Sequence, residues 1–350
     1  MQRSNLQTIA ELAQVSPSTV SRVLSGKNKR ETAQGGRILK LAEELGYKRD
    51  FIAKSMRTGR TFMIGVLISD ISGSFYSKIV LAIQDTLIEH GYSILLSNSK
   101  ENAEREAKSL HNFVERRVEA IIISPIQDEV NENYFLELKK HGIPFVVIDR
   151  HYPYVNCDFV GVDDRHGAYL AGKHLIGLGH ERMGVIAGPL NTYTGKERLQ
   201  GFKDALLEHG LELKQEYMVE GSYSPGIGSG RKKVKELIAQ ARDITAIFCS
   251  GDPLAIGALR GLREMNINVP EDISLVGFAG IPETEFVEPP LTTVQQPMYE
   301  IGKESASLVL RKIEEVREGE EARKETRLLK TELVIRNSTA KPRRTVLLKI

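Results

Sequence analysis

Short apolar runs of strand length recur along this 350-residue chain, and the residues just behind them are Ser69-Asp70, Ser97-Asn98, Ser124, Asp149-Arg150, Ser250 with Asp252, and Ala279. Small hydroxyls, carboxylates and an arginine suit a small polyhydroxylated molecule. Carboxylates accept pairs of hydroxyl hydrogens, and a guanidinium donates to ring and hydroxyl oxygens. A second group lies near the amino terminus, where Ser16-Pro-Ser-Thr-Val-Ser-Arg22 gathers hydroxyls and a cation around a helix start. Residues of that kind contact phosphates and base edges. Reaction chemistry is harder to find. The chain has no G-x-S-x-G elbow, no H-E-x-x-H and no G-x-x-x-x-G-K-[ST] phosphate loop. Gly226-Ile-Gly-Ser-Gly230 lacks the full dinucleotide fingerprint and reads as a flexible loop, and His180 in Leu-Gly-His reads as the close of a helix. Cys157 and Cys249 lie far apart, without the paired spacing of a zinc or redox site. No catalytic residue, cofactor or metal is expected, and an α/β enzyme is the weakest of the functional alternatives.

The elements that position these residues fall into two styles. Residues 1–46 read as short helices. Leu6, Ile9, Ala10 and Ala13 mark one face of a first helix with Asn5 as its cap, and a three-residue turn precedes a second that starts with Ser16 as cap and Pro17 at the first position. From residue 61 the pattern alternates. Strands at 62–68, 93–97, 120–124 and 144–148 are separated by helices at 76–90, 103–116 and 131–140. After a strand at 158–162 the alternation restarts, with helices at 165–178, 196–209, 231–241 and 254–265 and strands at 183–187, 217–221, 246–250 and 274–278. Short continuous apolar strands between amphipathic helices indicate parallel sheets covered on both faces, and ligands of such sheets bind beyond the carboxyl ends of the strands. The chain closes with an extended stretch at 291–295, a long helix from about Met298, and a charge-dense run at 311–330 that reads as a solvated helix face.

Charge separates the same two parts. Residues 1–60 hold 12 Lys+Arg and 5 Asp+Glu, a balance of +7 in a chain of net +2, so the remainder carries −5. A cationic head on a mildly acidic body is expected when one end of a chain meets a polyanion. The amino terminus lacks the apolar core of a signal peptide and no stretch approaches a membrane span, so a cytoplasmic location without membrane contact is expected. The absent signal peptide and the cationic helical head together oppose the alternative of a cytosolic or transport-type sugar-binding protein without regulatory DNA binding.

Taken together, Thr8-Ile-Ala-Glu-Leu-Ala13, Val15-Ser-Pro-Ser-Thr-Val-Ser-Arg-Val-Leu-Ser-Gly26 and Leu41-Ala-Glu-Glu-Leu-Gly-Tyr47 resemble the DNA-binding head of the lactose-repressor/galactose-repressor family of bacterial transcriptional regulators. The resemblance continues through Ile64-Gly-Val66, Val147-Ile-Asp-Arg150, Ala187-Gly-Pro189, Glu197-Arg-Leu-Gln-Gly-Phe202 and Pro289-Pro-Leu-Thr-Thr-Val-Gln-Gln-Pro297, and so covers nearly the whole chain. It implies an all-α helix-turn-helix head at 1–48, a hinge helix at 49–60, and an α/β core at 61–340. The core would resemble periplasmic binding proteins, with one doubly wound parallel-sheet subdomain at about 61–160 plus 292–325, another at about 162–290, and a basic tail at 341–350. A homodimer or tetramer on a near-palindromic double-stranded operator is implied, repressing carbohydrate-utilisation genes under allosteric control by a sugar, sugar acid or sugar phosphate. By motif position, Pro17, Ser18 and Arg22 would face base edges, and Asn5, Ser16, Thr19 and Ser21 phosphates. Lys54 and Arg57 would meet phosphates beside Met56, the apolar wedge that kinks a base step from the minor groove. Ser69, Asp70, Phe75, Ser124, Asp149 and Arg198 would bind effector, with Arg150 and Asp252 behind their strands completing the set. Asp149 pairing structurally with Arg150, and Phe75 as core, stay open as alternatives.

Some positions depart from the family pattern. Gln14 stands at a usual turn glycine, and Gly35-Gly36, costing about 2 kcal/mol relative to alanines, would delay the third helix to about Arg37. Gly251 replaces a frequent Asn, and Phe278-Ala-Gly280 lacks the usual acidic residue, which favours a bulkier or acidic effector leaning on Arg150 and Arg198. If Arg22 reads a base, Arg22→Ala weakens operator binding by roughly 1–3 kcal/mol and leaves binding to random DNA nearly unchanged; titrations on both duplexes check it, and equal losses refute the role.

Overall fold

The computed structural model describes residues 6–24, 32–47, 55–56, 58–126, 132–152, 156–319 and 323–343. By packing the chain divides into Met1–Thr61 and Phe62–Ile350.

In the first unit α1 (Leu6–Ala13), α2 (Pro17–Leu24) and α3 (Ala33–Glu44) enclose a small core of Ile9, Ala10, Ala13, Val20, Val23, Ile38 and Ala42. Gln14 is left-handed (φ 54°), which lets the Val15 N–H turn back to Ala10 O at 3.0 Å. The third helix does not wait for Arg37. It starts at Ala33 because Thr32 Oγ1 accepts from the Gly35 N–H at 3.1 Å, and Gly35 is itself buried. A cap is worth about 1 kcal/mol, which offsets part of the glycine cost.

The second unit holds two six-stranded sheets. The first comprises β1 (Met63–Ile68), β2 (Ser93–Asn98), β3 (Ala120–Ile123), β4 (Phe145–Ile148), β5 (Asp158–Val162) and β11 (Thr326–Leu329), all parallel, in the order β11-β5-β4-β3-β1-β2. The second comprises β6 (Met183–Ala187), β7 (Met218–Glu220), β8 (Ala246–Cys249), β9 (Ser274–Ala279), β10 (Thr292–Gln295) and β12 (Glu332–Val334) in the order β12-β10-β9-β8-β6-β7, with only β12 antiparallel. On the first sheet α4 (Ser74–Glu89) and α11 (Met298–Glu318) cover one face, and α5 (Ala103–Glu115) with α6 (Glu132–Lys140) the other. On the second, α9 (Gly226–Gln240) and α10 (Asp252–Glu264) cover one face, and α7 (Asp164–Gly177) with α8 (Tyr193–Glu208) the other.

Three sequence expectations are corrected. The stretch at 292–295 belongs to the second sheet, where Val294 is buried with Phe278 and Val276, so the chain crosses to the first sheet only at Gln296-Pro297. The charge-dense run is not one solvated helix. Its helix stops at left-handed Gly319, residues 326–329 become a strand, and Lys312 is buried against Asp158 (3.4 Å) and Glu315 (2.9 Å). Gly226–Gly230 is no loop but the opening of α9. A Cβ on Gly230 would lie 2.0 Å from Leu254 O, so only glycine lets α9 and α10 approach this closely. His180 does close α7 through its N–H to Leu175 O, and its ring also holds Thr245, Ser274 and the Ala340 carbonyl, tying the carboxyl-terminal segment to the core.

The glycine packing sets a paired expectation. Gly230→Ala destabilises by roughly 1–3 kcal/mol through overpacking, whereas Gly228→Ala, whose Cβ finds nothing closer than 4.0 Å, is neutral or stabilising; urea denaturation of both separates backbone crowding from helix propensity.

Candidate effector cleft and recognition helix

The carboxyl ends of both sheets border a cavity of about 390 Å³, within the ordinary range for small-molecule sites. On the first-sheet side, Asp70 follows β1, and its Oδ1 accepts from the Ser72 N–H (2.9 Å) and hydroxyl (2.7 Å). Its Oδ2 accepts from Ser224 Oγ at 2.9 Å, a contact that spans the cleft, as does the hydrogen bond from Ser74 to Glu283. Burial pushes the Asp70 carboxyl up, but the hydrogen bonds from Ser72 and Ser224 outweigh it and hold it below the ordinary aspartate value. Asp149, left-handed at φ 61° behind β4, accepts from Tyr76 Oη at 2.6 Å. Burial, reinforced by Asp149, pushes that phenol far above its usual range, so Tyr76 stays a donor. Arg150 makes its close pair not with Asp149, 3.9 Å away, but with both oxygens of Glu101 at 2.7 and 2.6 Å.

On the second-sheet side, Thr192 caps α8 by accepting from the Gly195 N–H, which sets Arg198 one turn further at the cleft floor. Its Nε donates to Asp164 at 2.6 Å, its Nη1 to Ser250 O at 2.9 Å, and the guanidinium lies 4.0 Å from the Phe278 ring centroid. Burial opposes the Arg198 charge, but Asp164 more than restores it; burial likewise pushes the Asp164 carboxyl up to about 7 against the pull of Arg198. Among the described residues, Ser69 Oγ, Gln296 Oε1 and Arg150 Nε border this cavity buried and without a hydrogen-bond partner in the chain. Such atoms are costly unless a ligand or water meets them.

Of the expected effector residues, Ser69, Asp70, Phe75, Asp149, Arg150 and Arg198 line the cavity, with Phe75 edge-on to Tyr76. Ser124 does not. It is buried behind Tyr76, bonded to the phenol at 2.8 Å. Asp252 does not either, because it starts α10 and turns inward to accept from Gly280 N, Ile281 N and Thr293 Oγ1 at 2.6–2.9 Å, leaving Gly251 and Pro253 at the surface of the cleft. Burial pushes its carboxyl up to about 6 although those three donors pull it down. Sequence reasoning missed Glu101, Tyr76, Tyr223, Glu283 and Gln296. Glu101 and Tyr223 lie three residues past β2 and β7, so extending the search behind each strand by two positions finds them; nothing local marks Glu283 or Gln296.

In the head, Ser16 caps α2 through Thr19 N–H at 3.2 Å, and its hydroxyl meets those of Ser18 (2.7 Å) and Thr19 (2.9 Å). Ser16, Pro17, Ser18 and Arg22 are exposed and Thr19 and Ser21 half-exposed, while Val20 and Val23 face the core. Met56 is 84% exposed. Asn5, Lys54 and Arg57 lie outside the described residues. Among the described residues, no helix is long and apolar enough to cross a membrane, and none of the His, Cys, Asp and Glu side chains group as metal ligands.

A helix-turn-helix head followed by a two-sheet core with an end-of-strand cleft defines a DNA-binding regulator with a small-molecule domain. Residues 5–50 match the bacterial regulatory proteins of the lacI family, and residues 61–334 match the periplasmic binding proteins and sugar binding domain of the LacI family. Catabolite control protein A of Priestia megaterium is 34% identical over 84% of this chain and 88% of its own, and the repressor CytR of Escherichia coli K12 is 30% identical over 96% of both. The lac repressor dimer bound to operator and an anti-inducer superposes with TM-score 0.84 at 26% identity over 97% of this chain and all of that one. The regulator CelR in complex with cellobiose superposes with TM-score 0.73 at 29% identity over 96% of this chain and 100% of that one. The chain belongs to the LacI family of bacterial regulatory proteins. It is a DNA-binding transcriptional regulator and not an enzyme.

Because Asp252 gathers three donors in the core and does not face the cleft, Asp252→Ala costs roughly 2–4 kcal/mol of stability, read by urea denaturation, without changing which ligands raise the melting temperature.

Proposed function

We propose that this protein is a cytoplasmic repressor that grips a near-palindromic operator as a homodimer and releases or tightens that grip when a neutral polyhydroxylated sugar occupies the cleft. The head would comprise residues 1–48 and the hinge 49–60. Pro17, Ser18 and Arg22 would read bases, Ser16, Thr19 and Ser21 would hold phosphates, and Met56 would enter the minor groove. Asn5, Lys54 and Arg57 complete that set by motif position. The effector would be held by Ser69, Asp70, Phe75, Asp149, Arg150 and Arg198.

The observation that carries the effector class is the charge balance of the cavity. Among the described residues, Asp70, Glu101, Asp149 and Glu283 line it against only Arg150 and Arg198, and both guanidiniums already hold a carboxylate. An acidic or phosphorylated sugar would meet a net negative wall, so the preference for an acidic effector that the sequence suggested is withdrawn. Carboxylates with free acceptor capacity, orphan polar atoms and the Phe75 and Phe278 faces suit hydroxyls and the apolar face of a sugar ring. The solved relatives bind in keeping with this: one contains cellobiose and another, from Enterococcus faecium, ribose. Occupancy changes DNA affinity only if the ligand prefers one closure state of the two lobes. The cleft-spanning Asp70–Ser224 and Ser74–Glu283 contacts are where that preference would act.

Selection of bound DNA fragments with and without neutral sugars tests the reading. A two-fold symmetric site should emerge, with an affinity that falls steeply with salt and shifts on adding one of the sugars; Arg198→Met should abolish the shift. Failure to distinguish any symmetric duplex from scrambled sequence refutes it.

A further inference from the structure

Glu101 reaches the cleft on a strained turn. Lys100 and Glu101 are both left-handed, at φ 49° and 54°, a conformation that costs non-glycine residues energy and persists where the surroundings enforce it. The turn is fixed at both ends. Ser99 N–H donates to Ile68 O at 3.0 Å, Lys100 N–H to Asn98 Oδ1 at 3.0 Å, and Asn102 caps α5 through Arg105 N–H at 2.9 Å. What the strain delivers is a two-pronged pair between the Glu101 carboxylate and both terminal nitrogens of Arg150, whose side chain is only 4% exposed. That planar fork is the geometry by which an arginine binds a phosphate or a carboxylate group of a ligand. Here the chain itself supplies the anion. Tethering gives the internal carboxylate a high effective concentration, so a free anion must displace it before it reaches the guanidinium. Arg198 is engaged differently, its Nε donating to Asp164 and its Nη1 to Ser250 O, so its charge too is already met within the chain.

We propose that Glu101 is a specificity-determining residue, a tethered carboxylate that fills the anion-binding fork of Arg150 and so confines the cleft to uncharged ligands. The proposal rests on the neutral-sugar reading and states what enforces it. A merely structural Glu101 would contribute to stability alone; a specificity residue, once neutralised, must change which class of molecule binds.

The test uses the full chain with two pairs of probes, glucose against glucose 6-phosphate and ribose against ribose 5-phosphate, together with inorganic phosphate, at constant ionic strength, by calorimetry and thermal shift. Glu101→Gln should bind inorganic phosphate and the phosphorylated probes about tenfold or more tightly than the unaltered chain does, and the gain should vanish in the double variant E101Q/R150M. Glu101→Ser, which keeps a small polar group in the turn, serves if E101Q does not hold its fold. Unchanged anion affinity in both single variants, or a gain that survives loss of Arg150, overturns the proposal. If the unaltered chain takes neutral sugars and the variants gain no anion binding, only this inference falls. If the unaltered chain prefers the phosphorylated probes, the neutral-effector reading falls with it.

Discussion

Charged groups buried beside the cleft must be neutralised locally, and that requirement organises the core. Arg198 comes from α8, Asp164 from the first turn of α7 directly after the crossing from β5, and Ser250 from the end of β8, so one guanidinium ties three separate chain segments at the floor of the cavity. Arg150 and Glu101 do the same for the loops behind β4 and β2 on the opposite side. Removing one member of such a pair leaves an uncompensated charge in a poorly solvated place. The pairs therefore fix loop positions, and they also decide what remains available to a ligand: carboxylate oxygens, hydroxyls and aromatic faces, with the cationic forks taken.

The cleft is divided between two sheets because the chain changes sheets three times, after β5, after β10 and after β11. Two sheets joined by three strands of backbone can rock against one another without unfolding either. Contacts that span the opening, Asp70 to Ser224 and Ser74 to Glu283, involve exposed or half-exposed side chains and are correspondingly weak. A ligand that bridges both sides needs to add only modest binding energy to hold one arrangement.

Much of this was legible in one dimension. Alternation of apolar strands with helices located all of β1 to β9 within one or two residues, and most of them are buried on both faces, which demands a continuous apolar run; β2 and β7, at the sheet edges, are less buried. The end-of-strand rule put Ser69, Asp70, Asp149, Arg150 and Ala279 at the cavity, but it failed for Ser97, Asn98, Ser124, Ser250 and Asp252. A residue behind a strand can turn inward, and Asp252 does so because the Gly280 and Ile281 amides and the Thr293 hydroxyl await an acceptor there. The reading of Gly226–Gly230 as a loop failed for a related reason: local propensity penalises glycine in a helix, whereas the close approach of α10 to α9 demands it.

By itself, the order of residues determined the periodicities, caps and turn residues, and with them the helical head, the two α/β halves and the family. These are local properties, readable wherever neighbours in the chain are also neighbours in space. Only the folded chain decided that β10 joins the second sheet, that Lys312 is buried, and that Arg150 is claimed by Glu101, a residue 49 positions away. Those outcomes depend on which distant groups compete for the same partner, and competition across the fold leaves no trace in spacing or composition.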